Sequence, residues 1–450
     1  MRARLTAGFV MVWCALATAS ASSAQVTSPA SPPVIALKAH RLFDGRGDTS
    51  IANGVVVVQG GKIVAAGAGV AIPAGARVID LGDVTLLPGF IDAHTHMTFE
   101  SSPDWNADAV AGFRSTVAEK AIIAASYARK TLMAGFTTVR DVGSSDYIDV
   151  GLRNAINAGL APGPRMLVAV YALGARGGHC DNTGYPYMLF GSETSAAQGI
   201  ASGPDGFRDA VRFQVKYGAD VIKVCATGCV LSLADEVDTP QLTQPEMDAL
   251  VDEAHRLRKK TAAHAHGATG AKVAIRAGID SIEHGSFLDD EALTMMKERG
   301  TYLVPTLMAA ESVAGLAGDR KFPPEIAAKG RAAGQAALQT VKRAIQMNVK
   351  IALGTDSAVT PHGKNAREFT LLVQGGMTSA QALRAGTREG ATLLGLDKRI
   401  GTLEAGKDAD IVAVAGDPIA DITATQQPVF VMKGGTIYKC EVQNAKCEVK

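Results

Sequence analysis

The chain has 450 residues, of which 47% are hydrophobic, and its formal net charge is +1 at pH 7. This length exceeds one typical domain and supplies enough apolar side chains for a large core. The near-neutral charge argues against nucleic acid or an anionic membrane surface as a partner.

The first 24 residues have the pattern of a secretory signal peptide. A basic start with Arg2 and Arg4 precedes the apolar stretch 5–19, and small residues suited to cleavage follow. The apolar stretch is too short to span a membrane comfortably. We therefore expect residues 1–24 to be removed, the mature protein to be secreted or periplasmic, and no membrane partner. An uncleaved N-terminal anchor is the alternative.

Five of the six cysteines lie beyond this segment. In an oxidising compartment, Cys440 and Cys447 could close a small loop near the C-terminus. Because five is an odd number, at least one thiol stays free or pairs with another chain. Cys225 and Cys229 could bond to each other or stay reduced, and the state of Cys180 is open.

Both ends of the chain are rich in short strands. Segments 55–58 and 63–66 flank a Gly-Gly turn and predict a hairpin. Short apolar segments typical of strands occur again at 410–414, 428–432 and 436–438. We infer that both ends build one small β-sandwich. The predicted organisation is a flexible leader at 25–33, the composite sandwich at 34–87 and 397–440, a catalytic domain at 88–396 and a tail at 441–450.

The middle of the chain alternates short apolar strands with helical stretches, such as 207–217, 245–260 and 323–347. Repeated strand–helix units imply parallel strands, and eight of them imply a closed α/β barrel of the (β/α)₈ type. The predicted strands are 88–96, 136–140, 166–170, 221–224, 261–264, 281–284, 301–304 and 350–353.

Polar side chains collect where these strands end, which is where a (β/α)₈ barrel carries its catalytic residues. His94 and His96 are two residues apart, so both imidazoles point the same way on a strand and can begin a metal site. The remaining candidates, in strand order, are Lys223 within the fourth strand, His264, His284, and Asp356 after the eighth.

Seven motifs carry a resemblance to the amidohydrolase superfamily. The chain is most similar to its Xaa-Pro dipeptidase and amino-acid carboxypeptidase branch, which includes ochratoxin-hydrolysing amidases. The motifs are Pro-Gly-Phe-Ile-Asp-Ala-His-Thr-His (88–96), Gly-Phe-Thr-Thr-Val-Arg-Asp (135–141), Ile-Lys-Val (222–224), Ala-His-Ala-His-Gly (263–267), Ile-Glu-His-Gly (282–285), Gly-Thr-Asp (354–356) and Gly-Lys-Asp-Ala-Asp-Ile-Val (406–412).

The resemblance implies two Zn²⁺ ions bridged by a carboxylated lysine. His94, His96 and Asp356 would bind the more buried ion, His264 and His284 would bind the second, and the carbamate of Lys223 would join them. An unmodified lysine has only donors and cannot do this. Read alone, Lys223 would be an ion-paired or snorkelling lysine. Manganese and cobalt suit the same ligands.

Neighbouring polar residues receive other roles. We expect His266 and His255 to be structural or solvated, and Asp92 to orient the end of the first strand. The resemblance implies hydrolysis of an amide by an activated water, whose proton Asp356 would accept and pass to the leaving nitrogen. The implied substrate is peptide-like or an N-acyl amino acid, and a homo-oligomer is expected.

Substrate contacts are predicted in the loops that follow the strands. His179, in the Gly-Gly-His sequence after the third strand, is the main candidate for the substrate carboxylate or the scissile carbonyl. Arg176 and Tyr185 are further candidates. His362 could line the pocket or cap a helix beginning near Asn365.

One position departs from the branch, since Cys229 stands where a glycine is usual. Three other functions compete with this one. A mononuclear deaminase would lack Lys223 and would carry a glutamate where Gly267 stands. A ring-opening hydrolase related to imidazolonepropionases or lactonases would use the same water. A non-enzymatic scaffold would have lost metal ligands, and this chain keeps all six.

Overall fold

The computed structural model describes residues 32–102, 104–181, 183, 185–186, 189, 193–233, 235–315, 322–443 and 445–450. Its strands are β1 (Val34–Leu42), β2 (Ile51–Gln59), β3 (Lys62–Ala68), β4 (Arg77–Asp80), β5 (Val84–Pro88), β6 (Phe90–Thr95), β7 (Phe136–Asp141), β8 (Arg165–Val168), β9 (Gly174–Ala175), β10 (Ile200–Ala201), β11 (Val221–Cys225), β12 (Lys260–Gly267), β13 (Ser281–Phe287), β14 (Tyr302–Val304), β15 (Ile411–Ala415), β16 (Pro428–Lys433) and β17 (Thr436–Cys440).

The helices are α1 (Trp105–Arg114), α2 (Val117–Met133), α3 (Ile148–Asn157), α4 (Gly203–Lys216), α5 (Gln244–Arg256), α6 (Ala268–Ala277), α7 (Asp290–Arg299), α8 (Leu307–Gly315), α9 (Pro324–Gln346), α10 (Arg367–Gln374), α11 (Ser379–Arg384) and α12 (Gly390–Leu393). Local sequence explains several of their starts. Thr243 precedes α5, and its backbone N–H donates to the Glu246 carboxylate at 2.8 Å, as a capping box requires. No helix in these ranges is long and apolar enough to cross a bilayer.

Strands from both chain ends form one eight-stranded sheet. Its order is β17-β16-β15-β5-β1-β2-β3, with β4 also paired to β1. The antiparallel pair of β2 and β3 confirms the predicted hairpin, and β15, β16 and β17 confirm the predicted C-terminal strands. The signal peptide and most of the leader, at 1–31, lie outside the described residues.

The middle of the chain forms parallel sheets. One has the order β6-β7-β8 and the other β11-β12-β13-β14. Backbone bonds continue this series beyond the strands: Asp220 N donates to Val168 O at 2.7 Å, and Leu303 N donates to Lys350 O at 2.8 Å. Ala93 N donates to Leu353 O at 2.9 Å, which connects the last segment to β6.

Seven of the eight predicted parallel strands are confirmed as β6, β7, β8, β11, β12, β13 and β14. The eighth, at 350–353, is wrong as a regular strand, because only Ile351 forms a bridge, to Leu303. The fifth is longer than predicted and continues to Gly267. Large apolar side chains fill the space between the strands and helices, and Phe90 packs edge-on against Phe369 with ring centres 5.0 Å apart.

Candidate active site and metal centre

Seven of the predicted site residues line one cavity of about 370 Å³ at the carboxyl ends of the parallel strands. Because parallel strands end on the same edge, residues far apart in sequence meet there. The seven are His94, His96, His179, Lys223, His264, His284 and Asp356.

His94 and His96 face one carboxylate. The Nε2 atoms of His94 and His96 lie 3.5 and 3.4 Å from Asp356 Oδ1. Burial lowers the pKa of His94 to about 4, so this imidazole is neutral at pH 7. Burial opposes ionisation of Asp356, but His94 and His96 hold its pKa below its usual range. Two imidazole nitrogens and a carboxylate oxygen form a donor set suited to zinc.

A buried glutamate fixes the orientation of His94. His94 Nδ1 donates to Glu283 Oε2 at 2.8 Å, while Arg140 Nη2 donates to Oε1 at 2.8 Å. Despite burial, Arg140 and His94 lower the pKa of Glu283 to about 2. Since a carboxylate only accepts, the proton of His94 sits on Nδ1 and the Nε2 lone pair faces Asp356.

The sequence interpretation missed the roles of Glu283 and Arg140, although both stand in quoted motifs. Both side chains are almost fully buried, at 0% and 1% exposure. For Glu283, the available signal was a charged residue inside an apolar strand, directly before the predicted ligand His284.

A second network holds the end of β6 against the segment that carries Asp356. Asp92 Oδ2 accepts from Thr355 Oγ1 at 2.6 Å and from Asn365 Nδ2 at 2.8 Å, and its Oδ1 accepts from His94 N at 3.1 Å. This agrees with an orienting role for Asp92. Gly354 permits the close approach, because a Cβ there would lie 2.8 Å from His94 Cβ.

Three further histidines form a second group of ligand atoms. The nitrogens of His264, His266 and His284 lie within 4.8 Å of one another. His284 Nδ1 bonds Thr306 Oγ1 at 2.7 Å, and His266 Nδ1 bonds Ser286 Oγ at 3.0 Å. Burial lowers the pKa of His266 to about 3 and those of His264 and His284 well below their usual value.

Of the two roles expected for His266, structural or solvated, the solvated one is wrong, because this side chain is buried and lines the cavity. The extra length of β12 explains the error, since His264 and His266 lie two residues apart on one strand. His255 instead stands away from the cavity and pairs with Asp280 at 2.8 Å.

Lys223 enters the cavity from β11 and is only 3% exposed. Burial lowers its pKa, although Glu283 and Asp356 favour the charged form. The surroundings fit metal ions: His94 Nε2 is buried without a hydrogen-bond partner among the described residues. Burying a nitrogen without a hydrogen-bond partner costs free energy. A metal ion bound to this nitrogen would offset that cost.

His179 is the one predicted substrate-contact residue in the cavity lining. Its ring centre lies 4.6 Å from that of His264, and its Nδ1 is buried without a hydrogen-bond partner among the described residues. A disulfide joins Cys180 to Cys225, so of the two states left open for Cys225 and Cys229, a mutual bond is wrong, and only Cys229 stays reduced, as a free, buried thiol. Burial raises the pKa of this thiol to about 12. Cys440 and Cys447 do form a bond, hereafter the tail disulfide.

The structure does not bring the other three substrate candidates into this cavity lining. Arg176 is 64% exposed and lies 3.7 Å from Glu193. Tyr185 is 45% exposed. His362 is buried, but its Nε2 bonds Phe99 O at 2.9 Å and its ring stacks on Tyr127, so it neither lines the cavity nor caps a helix.

One family model and several known proteins are similar to this chain. The amidohydrolase family model matches residues 85–438. Ochratoxinase from Aspergillus niger is 33% identical over 374 residues, covering 79% of this chain and 75% of that protein. Its solved structure has a TM-score of 0.80 at 30% identity, covering 92% and 99% of the two chains.

Two further relatives differ in their reactions. The crystal structure of a Xaa-Pro dipeptidase with methionine bound in its active site has a TM-score of 0.85 and 39% identity. The match covers 90% of this chain and all of that one. An imidazolonepropionase from Rhizorhabdus wittichii is 27% identical over 401 residues, covering 82% and 89%.

Proposed function

The chain belongs to the amidohydrolase family and is a hydrolase acting on amide bonds, and we propose that it uses two zinc ions to release a C-terminal amino acid from a peptide-like substrate. The substrate would be a dipeptide or an N-acyl amino acid, including amides of the ochratoxin type. Ochratoxinase and the Xaa-Pro dipeptidase support this reading by their similarity.

The observation that carries the proposal is the convergence of six ligand-type side chains in one cavity. His94, His96 and Asp356 would hold one ion, and His264 with His284 would hold the other. A carboxylated Lys223 would supply the shared oxygen ligand. When bound, the ions would lower the pKa of water and polarise the amide carbonyl.

The chain's own groups would then move the proton. Asp356 is ionised at neutral pH because its pKa lies below the usual range. It would orient the attacking water, accept its proton and deliver that proton to the leaving nitrogen, which is a poor leaving group unless protonated. His179, with an uncommitted ring nitrogen, would donate to the substrate carboxylate.

Three wider proposals accompany this one. The parallel strands would close into a (β/α)₈ barrel beside a β-sandwich made from the two chain ends. The protein would be exported after loss of residues 1–24. It would assemble as a homo-oligomer.

The test uses the mature, zinc-loaded protein and two matched panels. The first contains N-acyl amino acids and dipeptides with a free carboxylate, and the second contains the same compounds amidated at that group. Mass spectrometry follows the released amino acid. Cleavage restricted to the first panel is expected, and equal cleavage of both would contradict an exopeptidase-like reaction.

The similarity to imidazolonepropionase favours one alternative, hydrolytic opening of a ring. The same cavity residues would act on a cyclic amide or a lactone. A metal-loaded protein that cleaves neither linear panel but opens such rings would replace the proposal with this alternative.

A further inference from the structure

The cavity has two chemically different sides. Its floor carries the histidines, Lys223 and Asp356 at the strand ends, while another side of the lining is apolar. We call this side the apolar wall; it comprises Leu231, Ala309, Ala310, Val313, Ala333 and Val359. Four of these side chains belong to one cluster of buried apolar residues, so the wall is continuous with a packed core.

The wall is built largely from two helices that touch closely. A Cβ on Gly330 of α9 would lie 2.5 Å from Val313 Cγ1 of α8, so glycine is needed for this approach. Backbone N–H and C=O groups inside helices bond to each other. The side chains that the wall offers a ligand are therefore all apolar.

Charged partners are also scarce. Among the described residues that line the cavity, Lys223 is the only lysine or arginine and Asp356 the only carboxylate. Asp356 faces His94 and His96 on the floor. A charged group placed against the wall would lose its hydration without gaining an ion pair, which is strongly unfavourable.

This asymmetry decides how a substrate of the proposed function would sit. The carboxylate of the amino acid needs a polar donor, and His179 is the available one. The acyl side of the scissile amide then faces the apolar wall. In a dipeptide, that side carries an α-ammonium one carbon from the scissile carbonyl, and no side chain among the wall residues named above is an acceptor for it.

We propose that the apolar wall selects uncharged, apolar acyl groups, so that the enzyme is an N-acyl amino acid amidohydrolase that discriminates against dipeptides with a free amino terminus. This rests on the proposed function and narrows its substrate class. Four of the selecting residues, Ala309, Ala310, Val313 and Ala333, are on α8 and α9, and these two helices carry none of the predicted metal ligands.

A pair of substrates differing only in the amino group tests this directly: hydrocinnamoyl-L-methionine and L-phenylalanyl-L-methionine. With the zinc-loaded full chain at pH 7, kcat/KM should be at least tenfold higher for the acyl compound. An α-amino group has a pKa of roughly 8. Raising the pH through that value should therefore narrow the difference by removing the ammonium charge.

Substitutions at Ala310, a partly buried wall residue, supply the matched control. Ala310→Asp adds a carboxylate and should shift the ratio at least tenfold toward the dipeptide, whereas the isosteric neutral Ala310→Asn should not. Equal rates for both compounds, a faster dipeptide, or identical ratios in the two variants would overturn the inference while amide hydrolysis stands. Cleavage of neither compound, together with cleavage of no member of the free-carboxylate panel, would instead refute the proposed function itself.

Discussion

Replacing Glu283 with glutamine tests how the protein prepares a histidine for metal. Glu283 accepts from His94 Nδ1 and from Arg140 Nη2, both at 2.8 Å. A glutamine has one oxygen and one NH₂ group, so it cannot accept from both sides. In either orientation of the amide, Arg140 loses its anionic partner. If the amide oxygen faces Arg140, the NH₂ group faces His94, which must then move its proton to Nε2, where that proton would block a metal bond.

The two consequences are a loss of stability and a loss of metal affinity, and the size of each can be stated. Arg140 and Glu283 are buried, and breaking a buried ion pair by removing one charge costs about 3–5 kcal/mol. Loss of a carboxylate that orients a ligating histidine typically lowers metal affinity by about 10–100-fold. We expect Glu283→Gln to show the first loss in urea unfolding of the metal-free protein and the second in competition against a zinc chelator.

The pH dependence has a defined sign. The folded-state pKa of Glu283 is about 2, below the ordinary value of 4.5, so its contribution to stability is present above pH 4.5 and lost as pH falls towards 2. The free energy of unfolding of Glu283→Gln should not show this loss as the pH falls. The exposed Glu298→Gln is the control. Wild-type zinc affinity together with a change in unfolding free energy below 1 kcal/mol would refute the assigned role of Glu283.

Three other outcomes are expected. Lys223→Ala should lose most activity and be partly rescued by added short carboxylates; full activity would exclude a bridging role. Asp356→Asn should retain zinc by elemental analysis but lose roughly 10²–10⁴-fold in kcat, and normal turnover would require a different base. Replacing both cysteines of the Cys180–Cys225 disulfide, which closes 45 residues, should cost about 4 kcal/mol in urea unfolding. Loss of the tail disulfide, which closes 7 residues, should cost about 2 kcal/mol, and the reverse order would contradict the loop-entropy account.

The parallel strands and the convergence of the site residues could be predicted because both follow from local pattern. Apolar runs alternate with helical stretches, and polar residues stand where the runs stop. His94 and His284 are 190 positions apart, yet their rings lie 4.9 Å apart, since parallel strand ends share one edge. That rule needs no knowledge of individual partners.

Contacts between particular residues on different segments of the chain could not be predicted. Burial of Arg140 is possible only because Glu283 neutralises it from another strand. Cys225 pairs with Cys180 rather than with Cys229, which is nearer in the sequence, because the loop after β8 passes beside the end of β11. His362 turns to the carbonyl of Phe99, a contact that no local pattern encodes.

The backbone at two of the predicted ligands shows what this arrangement costs. His284 and Asp356 have φ values of 68° and 56°, in the left-handed region that costs an L-residue about 1–2 kcal/mol. Bonds hold them there, from Asp356 N to His94 O at 2.8 Å and between His284 Nδ1 and Thr306 at 2.7 Å. Glycine would relieve the strain but would remove the imidazole or the carboxylate. Strain retained at two residues whose side chains share one cavity therefore indicates that chemistry, rather than stability, determines the residue type at both positions.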